Sequence, residues 1–136
     1  NICVLLKEEL AKSGIQLQTE ISPKELELLA DQDLIQMILI NLVKNAKEAM
    51  EKSNTKTIIL KSGINSQSFP FIQVIDYGEG IVPEALERVF VPFFTTKKSG
   101  SGIGLAISRQ IMNLHKGNLE VESIPGKRTA FTMKFG

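Results

Sequence analysis

Residues 33–50, DLIQMILINLVKNAKEAM, constrain the fold more than any other stretch. The segment is long and mostly apolar, so it reads as a helix that must be buried against other elements. Asn41 and Asn45 are four residues apart, hence on one face, one turn above the other, and Glu48 continues the stripe. Asparagine is a poor helix former and costs free energy to desolvate. Two readings follow. Either the amides bond to neighbouring backbone, or the stripe faces a polar cavity and offers an amide oxygen to a metal. Mg²⁺ suits the second reading, because it takes few protein oxygens and completes its shell with waters and phosphates.

Around this helix the remaining chain reads as short strands and a second long helix. Residues 2–12 look like the end of a helix stopped near Gly14, and 15–21 (IQLQTEI) alternate like a strand. Ser22 and Glu25 have capping-box spacing, 26–30 is a short strand candidate, and Asp31 is a good N-cap for a helix over 32–51. Residues 57–64 and 70–76 read as strands joined by the polar turn NSQS. Pro83 suits the first position of a short helix over 83–90, with a loop over 91–101. A second long helix covers 103–115 and stops at Gly117. Residues 118–124 and 129–135 form a closing hairpin around PGKR. Strands grouped with long helices, without strict alternation, predict an α+β fold: a two-layer sandwich with helices on one sheet face.

Three further stretches carry chemistry. In KKSGSGIGLAIS, residues 97–108, glycines at 100, 102 and 104 precede a helix start and follow lysines. Glycine lets a ligand approach the main chain, and a helix N-terminus offers free N–H groups to an anion. An ordinary loop is the simpler alternative. In VIDYGEGI, residues 74–81, Asp76 closes a strand and Gly78 and Gly80 follow. Asp76 is either an Asx cap of a tight turn or an acceptor aimed into a pocket, with the glycines leaving room for a flat ring. In RVFVPFFTTKKSGSG, residues 88–102, Phe90, Phe93 and Phe94 are most simply core plugs. Thr95, Thr96, Lys97 and Lys98 form a solvated basic turn or a lid whose lysines approach phosphates.

Composition removes several classes. The net charge of +1 gives no general reason to expect nucleic acid or an acidic membrane as partner. No apolar run reaches the roughly 18 residues of a membrane span. Cys3 is the lone cysteine and His115 the lone histidine, so an internal disulfide is excluded and a zinc site is not expected. The length suits one domain, which at this size buries roughly 65–70% of its unfolded surface. A start at Asn1 reads as a piece of a longer protein.

The stretches fall in one order: asparagine pair, Asp-x-Gly-x-Gly, Phe-rich segment, glycine-rich helix start. That order resembles the ATP-binding catalytic domain of bacterial sensor histidine kinases, in the superfamily shared with gyrase-type topoisomerases, heat-shock chaperones and mismatch-repair ATPases. NLVKNA resembles the N box, DYGEG the first glycine box, FVPFFTTK the F box and GSGIGLAIS the second glycine box. VESIPGKRTAFTMKF resembles the closing hairpin, and PFFTTK with GIGLAIS is similar to nitrogen-regulatory kinases. The resemblance covers essentially the whole chain, 1–136, as a single domain. It implies a mixed, mostly antiparallel sheet and a mobile ATP lid. It implies Asn45 as the Mg²⁺ ligand, Asn41 lining the phosphate side, and Asp76 reading the adenine amino group. Gly78 and Gly80 flank the base. Lys97, with Thr96, lies near the phosphates. Gly100, Ser101, Gly102, Ile103, Gly104 and Leu105 form the segment that folds over the triphosphate, and Thr129 is a pocket-floor hydroxyl. Helical spacing puts Lys44 near the asparagine stripe, where it can touch phosphates, and Lys47 in solvent.

Departures sit at the closing hairpin, with Gly117-Asn118 and Arg128-Thr129 where relatives often have Gly-Gly and Gly-Thr. Hydrolytic members have Glu one turn before the Mg²⁺ asparagine, a carboxylate able to activate water. Asn41 has no such basicity. The resemblance therefore implies γ-phosphoryl transfer to a histidine on a phosphoacceptor domain of the same or a sister chain, with a response regulator downstream. It implies ATP and Mg²⁺ as cofactors, no catalytic residue beyond those positioning ATP, and negligible autophosphorylation in isolation. It also implies a cytoplasmic place, in a parent that can be membrane-anchored, with no direct membrane contact. His115 is expected to cap a helix end. Two alternatives stand beside this: a non-catalytic nucleotide-sensing module, and an anti-sigma-factor-type serine kinase of the same fold.

Overall fold

Nine elements follow one another in the computed structural model, which describes residues 2–21, 32–51, 53–92 and 104–135. They are α1 (Ile2–Ala11), β1 (Gln16–Ile21), α2 (Gln32–Ala49), β2 (Thr57–Ile64), β3 (Pro70–Asp76), α3 (Pro83–Leu86), α4 (Gly104–Leu114), β4 (Asn118–Ile124) and β5 (Arg128–Lys134). The Ser22–Glu25 capping box, the strand expected over 26–30, the Asp31 cap and segment 93–103 lie outside the described residues.

The strands form one sheet in the order β1-β2-β3-β5-β4. β1 pairs with β2 in parallel, and the other three pairings are antiparallel. The parallel pair needs a crossover, and α2 supplies it. Register aligns the inward side chains in rows: Ile58, Asp76, Thr129 and Ser123 in one, Leu60, Val74, Phe131 and Val121 in the next. The helices cover this face. Ile35, Ile38, Leu39, Leu42, Val43 and Ala46 of α2 pack onto it with Leu6 and Leu10 of α1 and Met112 of α4. The expected two-layer α+β sandwich is therefore observed. The opposite face carries polar pairs: Gln73 Nε2 donates to Thr132 Oγ1 at 2.9 Å, and Lys134 pairs with Glu120 at 2.8 Å. A shallow groove of about 260 Å³ on that face is lined by Phe71, Gln73, Thr132 and Lys134 and holds none of the candidate ATP-site residues.

Turn chemistry explains the joints. Asn65 Oδ1 accepts the N–H groups of Gln67 and Phe69 at 2.9 and 3.0 Å, closing the NSQS turn. Lys56 Nζ donates to the carbonyls of Met50 and Glu51 at 2.5 and 3.2 Å, covering oxygens exposed past the end of α2. Pro83 opens α3 at its first position, but the helix ends at Leu86 instead of residue 90. Beyond it, Arg88 N–H bonds Ala85 O and Val91 N–H bonds Arg88 O, three-residue spacings of successive turns.

The end of α4 departs from expectation in an instructive way. The sequence places the stop at Gly117. The left-handed residue is Lys116, at φ 61°. Lys116 N–H reaches Asn113 O at 3.1 Å and Gly117 N–H reaches Met112 O at 2.9 Å, the paired bonds of a Schellman cap. Glycine is needed at 117 for space: a β-carbon there would sit 2.1 Å from the Lys134 carbonyl oxygen. Replacing exposed Lys116 by glycine will raise stability by roughly 0.5–1 kcal/mol, since glycine carries no left-handed penalty. A denaturant midpoint that falls instead would contradict this account of the cap.

Candidate functional site

Asp76 is the last residue of β3 and points to the helix side of the sheet, between Ile58 and Thr129. It is only 3% exposed. A carboxylate so placed must find donors, because burying an unpaired charge is costly. Its Oδ1 accepts the Gly78 N–H at 2.9 Å, so the Asx turn read from the sequence is present. Thr129, across the strand pair, is equally buried, and its Oγ1 lies 2.8 Å from Ser123 Oγ.

The loop after Asp76 is stitched to protein on both sides. Ser53 Oγ donates to Tyr77 O at 2.9 Å, and Glu79 N–H reaches Ala49 O at 3.3 Å. Gly126 N–H donates to Glu79 O at 2.8 Å. A β-carbon on Gly78 would lie 2.4 Å from Ala49 O, and one on Gly80 would lie 2.8 Å from Ile124 O. Gly80 also has φ +76°, a conformation that side chains disfavour. Both glycines are thus required by the chain's own packing: the loop is clamped between the end of α2 and the β4–β5 turn.

The amide stripe of α2 meets α4. Asn41 is half-buried, and its Nδ2 donates to Ser108 Oγ at 3.3 Å. A β-carbon on Gly104, the first residue of α4, would sit 2.4 Å from Asn41 Oδ1. The absent side chain at 104 is therefore what lets the helix N-terminus close on this amide. The partner of the Asn41 amide nitrogen is thus a side chain on another helix, not neighbouring backbone. Asn45 and Glu48 are half-buried and each engages a partner. Lys44 is exposed, whereas Lys47, expected in solvent, is the partly buried one. It lies in the last turn of α2, where its charge complements the helix dipole. Leu105 packs against the core beside this junction.

Phe90 plugs the core as expected, edge-on to Phe131 at 6.4 Å, with the Arg109 guanidinium over its ring at 4.5 Å. His115 Nδ1 donates to Ile111 O at 2.8 Å, a helix-end contact as expected. Thr96, Lys97, Gly100, Ser101, Gly102 and Ile103 lie outside the described residues. Within them, the structure brings together two clusters: Asp76, Thr129, Gly78 and Gly80 at the strand ends, and Asn41, Gly104 and Leu105 at the α2–α4 contact. The α2 helix joins the clusters, since Ala49 holds Gly78 and Asn41 holds Gly104. Two serines were missed. Ser108 falls four residues after Gly104 on the buried side of α4, and Ser123 follows Leu119 and Val121 at inward positions of β4. A hydroxyl on an otherwise apolar face is the signal that identifies both.

The donor set bears on a metal. No group of three or more His, Cys, Asp and Glu able to hold an ion occurs among the described residues. A half-buried amide at Asn45 fits an ion that takes one protein oxygen and brings the rest of its shell as water and phosphate. Among the described residues no helix is long and apolar enough to cross a membrane.

Comparison with known proteins follows the same lines. Residues 30–136 match the family of histidine kinase-, DNA gyrase B- and HSP90-like ATPases. The chain is 35% identical over 134 residues to Sporulation kinase A of Bacillus subtilis (strain 168), covering 98% of this chain and 22% of that protein. It is 38% identical over 118 residues to the signal transduction histidine-protein kinase AtoS of Escherichia coli (strain K12), covering 87% and 18%. Among solved structures, the nucleotide-free catalytic domain of histidine kinase ThkA has a TM-score of 0.83 at 32% identity, covering 98% of this chain and 86% of that one. The chain spans about a fifth of the length of the two curated kinases.

Proposed function

We propose that this chain, which belongs to the histidine kinase-, DNA gyrase B- and HSP90-like ATPase family, binds ATP with Mg²⁺ and donates the γ-phosphoryl group to a histidine on a phosphoacceptor domain. Asp76 accepts a hydrogen bond from the adenine amino group, with Thr129 beside it and Gly78 and Gly80 flanking the base. The α4 N-terminus, closed on Asn41 through Gly104, turns its N–H groups to the phosphates, and Lys44, Lys97 and Thr96 add charge and hydroxyls there. Gly100, Ser101, Gly102, Ile103 and Leu105 complete the phosphate side. Asn45 holds Mg²⁺, which neutralises phosphate charge when bound.

The chain's own work is positioning and charge neutralisation, on which phosphoryl transfer mainly depends. Asn41, an amide, activates no water, so the γ-phosphoryl group is kept for the histidine. The partner is a helical hairpin of the same or a sister chain, with a response regulator downstream. The setting is cytoplasmic, where ATP and the regulator are found, and the domain is one ATP-binding unit of a longer kinase.

The observation that carries this reading is the buried Asp76–Thr129 pair at the strand ends, joined through α2 to the Asn41–Gly104 contact. The test uses γ-labelled ATP. Alone, the chain should bind ATP and incorporate negligible label. Mixed with a histidine-bearing hairpin from a related sensor kinase, it should label the hairpin in a Mg²⁺-dependent way. Label transferred to serine, or ATP bound without any transfer, would reject the histidine kinase reading.

A further inference from the structure

The hydroxyl of Ser123 holds three partners. It accepts the Ile81 N–H at 2.7 Å, faces the Arg128 carbonyl at 3.1 Å, and lies 2.8 Å from Thr129 Oγ1. A serine hydroxyl has one proton and two acceptor lone pairs. The Ile81 N–H can only donate, and the Arg128 carbonyl can only accept. The Ser123 proton therefore goes to Arg128 O, and the Thr129 hydroxyl must give its own proton to Ser123 Oγ. With that proton committed, Thr129 Oγ1 meets any ligand as an acceptor. Asp76, its neighbour across β3 and β5 on the same face, is an acceptor too. Two adjacent acceptors suit an amino group and repel a carbonyl oxygen in the same place.

We propose that Ser123 is a positioning residue that sets base specificity: by taking the Thr129 proton, it makes the pocket read a 6-amino purine and reject a 6-oxo purine. This rests on the ATP reading of the site. The same hydroxyl, through Ile81, anchors the loop that carries Gly78 and Gly80, so base recognition and loop position share one atom.

The test is calorimetric titration with ATP and with inosine triphosphate, both with Mg²⁺. Wild-type protein should prefer ATP. Ser123→Ala should narrow that preference about tenfold, because the freed Thr129 hydroxyl can turn and donate to a 6-oxo group. Ser123→Thr, which restores a hydroxyl, should keep the wild-type preference. In a Thr129→Val background, Ser123→Ala should leave the preference unmoved. A merely structural Ser123 would weaken both nucleotides alike, and an unchanged ratio in Ser123→Ala overturns the proposal while leaving the ATP reading intact. Wild-type protein that binds neither nucleotide overturns the ATP reading and this proposal with it. Should Ser123→Ala fail to fold, Ser123→Cys keeps the size but is a poor acceptor, and it must show the same narrowing.

Discussion

Replacing Asp76 by asparagine will weaken ATP binding about 10- to 100-fold, the loss of a charge-assisted hydrogen bond of roughly 1.5–3 kcal/mol. The substitution isolates recognition from folding. Asparagine keeps an oxygen that can accept the Gly78 N–H, so the turn after β3 persists. It also removes a charge from a site that is 3% exposed, which lightens the desolvation cost. The variant should therefore unfold at a denaturant concentration no lower than wild type. An affinity left unchanged by calorimetry would refute the assignment of Asp76 to the adenine amino group. A collapsed fold would instead mean that the carboxylate holds the strand end through its charge.

Asn45→Ala should abolish Mg²⁺-dependent phosphoryl transfer, a fall of at least about 100-fold, because a metal on a transferring phosphoryl group contributes several kcal/mol. The helix should survive. Asn45 sits inside the long α2, is half-buried, and gives way to the best helix former. Circular dichroism and the unfolding midpoint check the fold, and transfer to a histidine-bearing hairpin checks the chemistry. Transfer retained at the wild-type rate would remove the metal role from Asn45.

Much of this architecture is legible because local patterns have local causes. Alternation in β1, the apolar run of α2, Pro83 at the start of α3 and the NSQS turn each follow from a few neighbouring residues. Boundaries drift where the cause is a turn: α3 stops at Leu86 because three-residue hydrogen bonds replace helical ones. The candidate site is legible in part. Asp76, Asn41 and Gly104 announce themselves as a buried acid, a polar stripe and a glycine at a helix start. Their partners do not.

The order of the chain's elements and the residue types of its site were determined by the sequence, because periodicity, capping and turn preference act over a few residues. Only the tertiary structure decided what the glycines are for. Gly78 yields to Ala49, Gly80 to Ile124, Gly104 to Asn41 and Gly117 to Lys134, each neighbour distant in sequence from the glycine it meets. It also decided that Lys116 takes the left-handed turn and that Ser123 Oγ comes within 2.8 Å of Thr129 Oγ1. Both kinds of outcome depend on which backbone arrives within a few ångströms. That is fixed by sheet register and helix packing between residues distant in sequence, which no local pattern encodes.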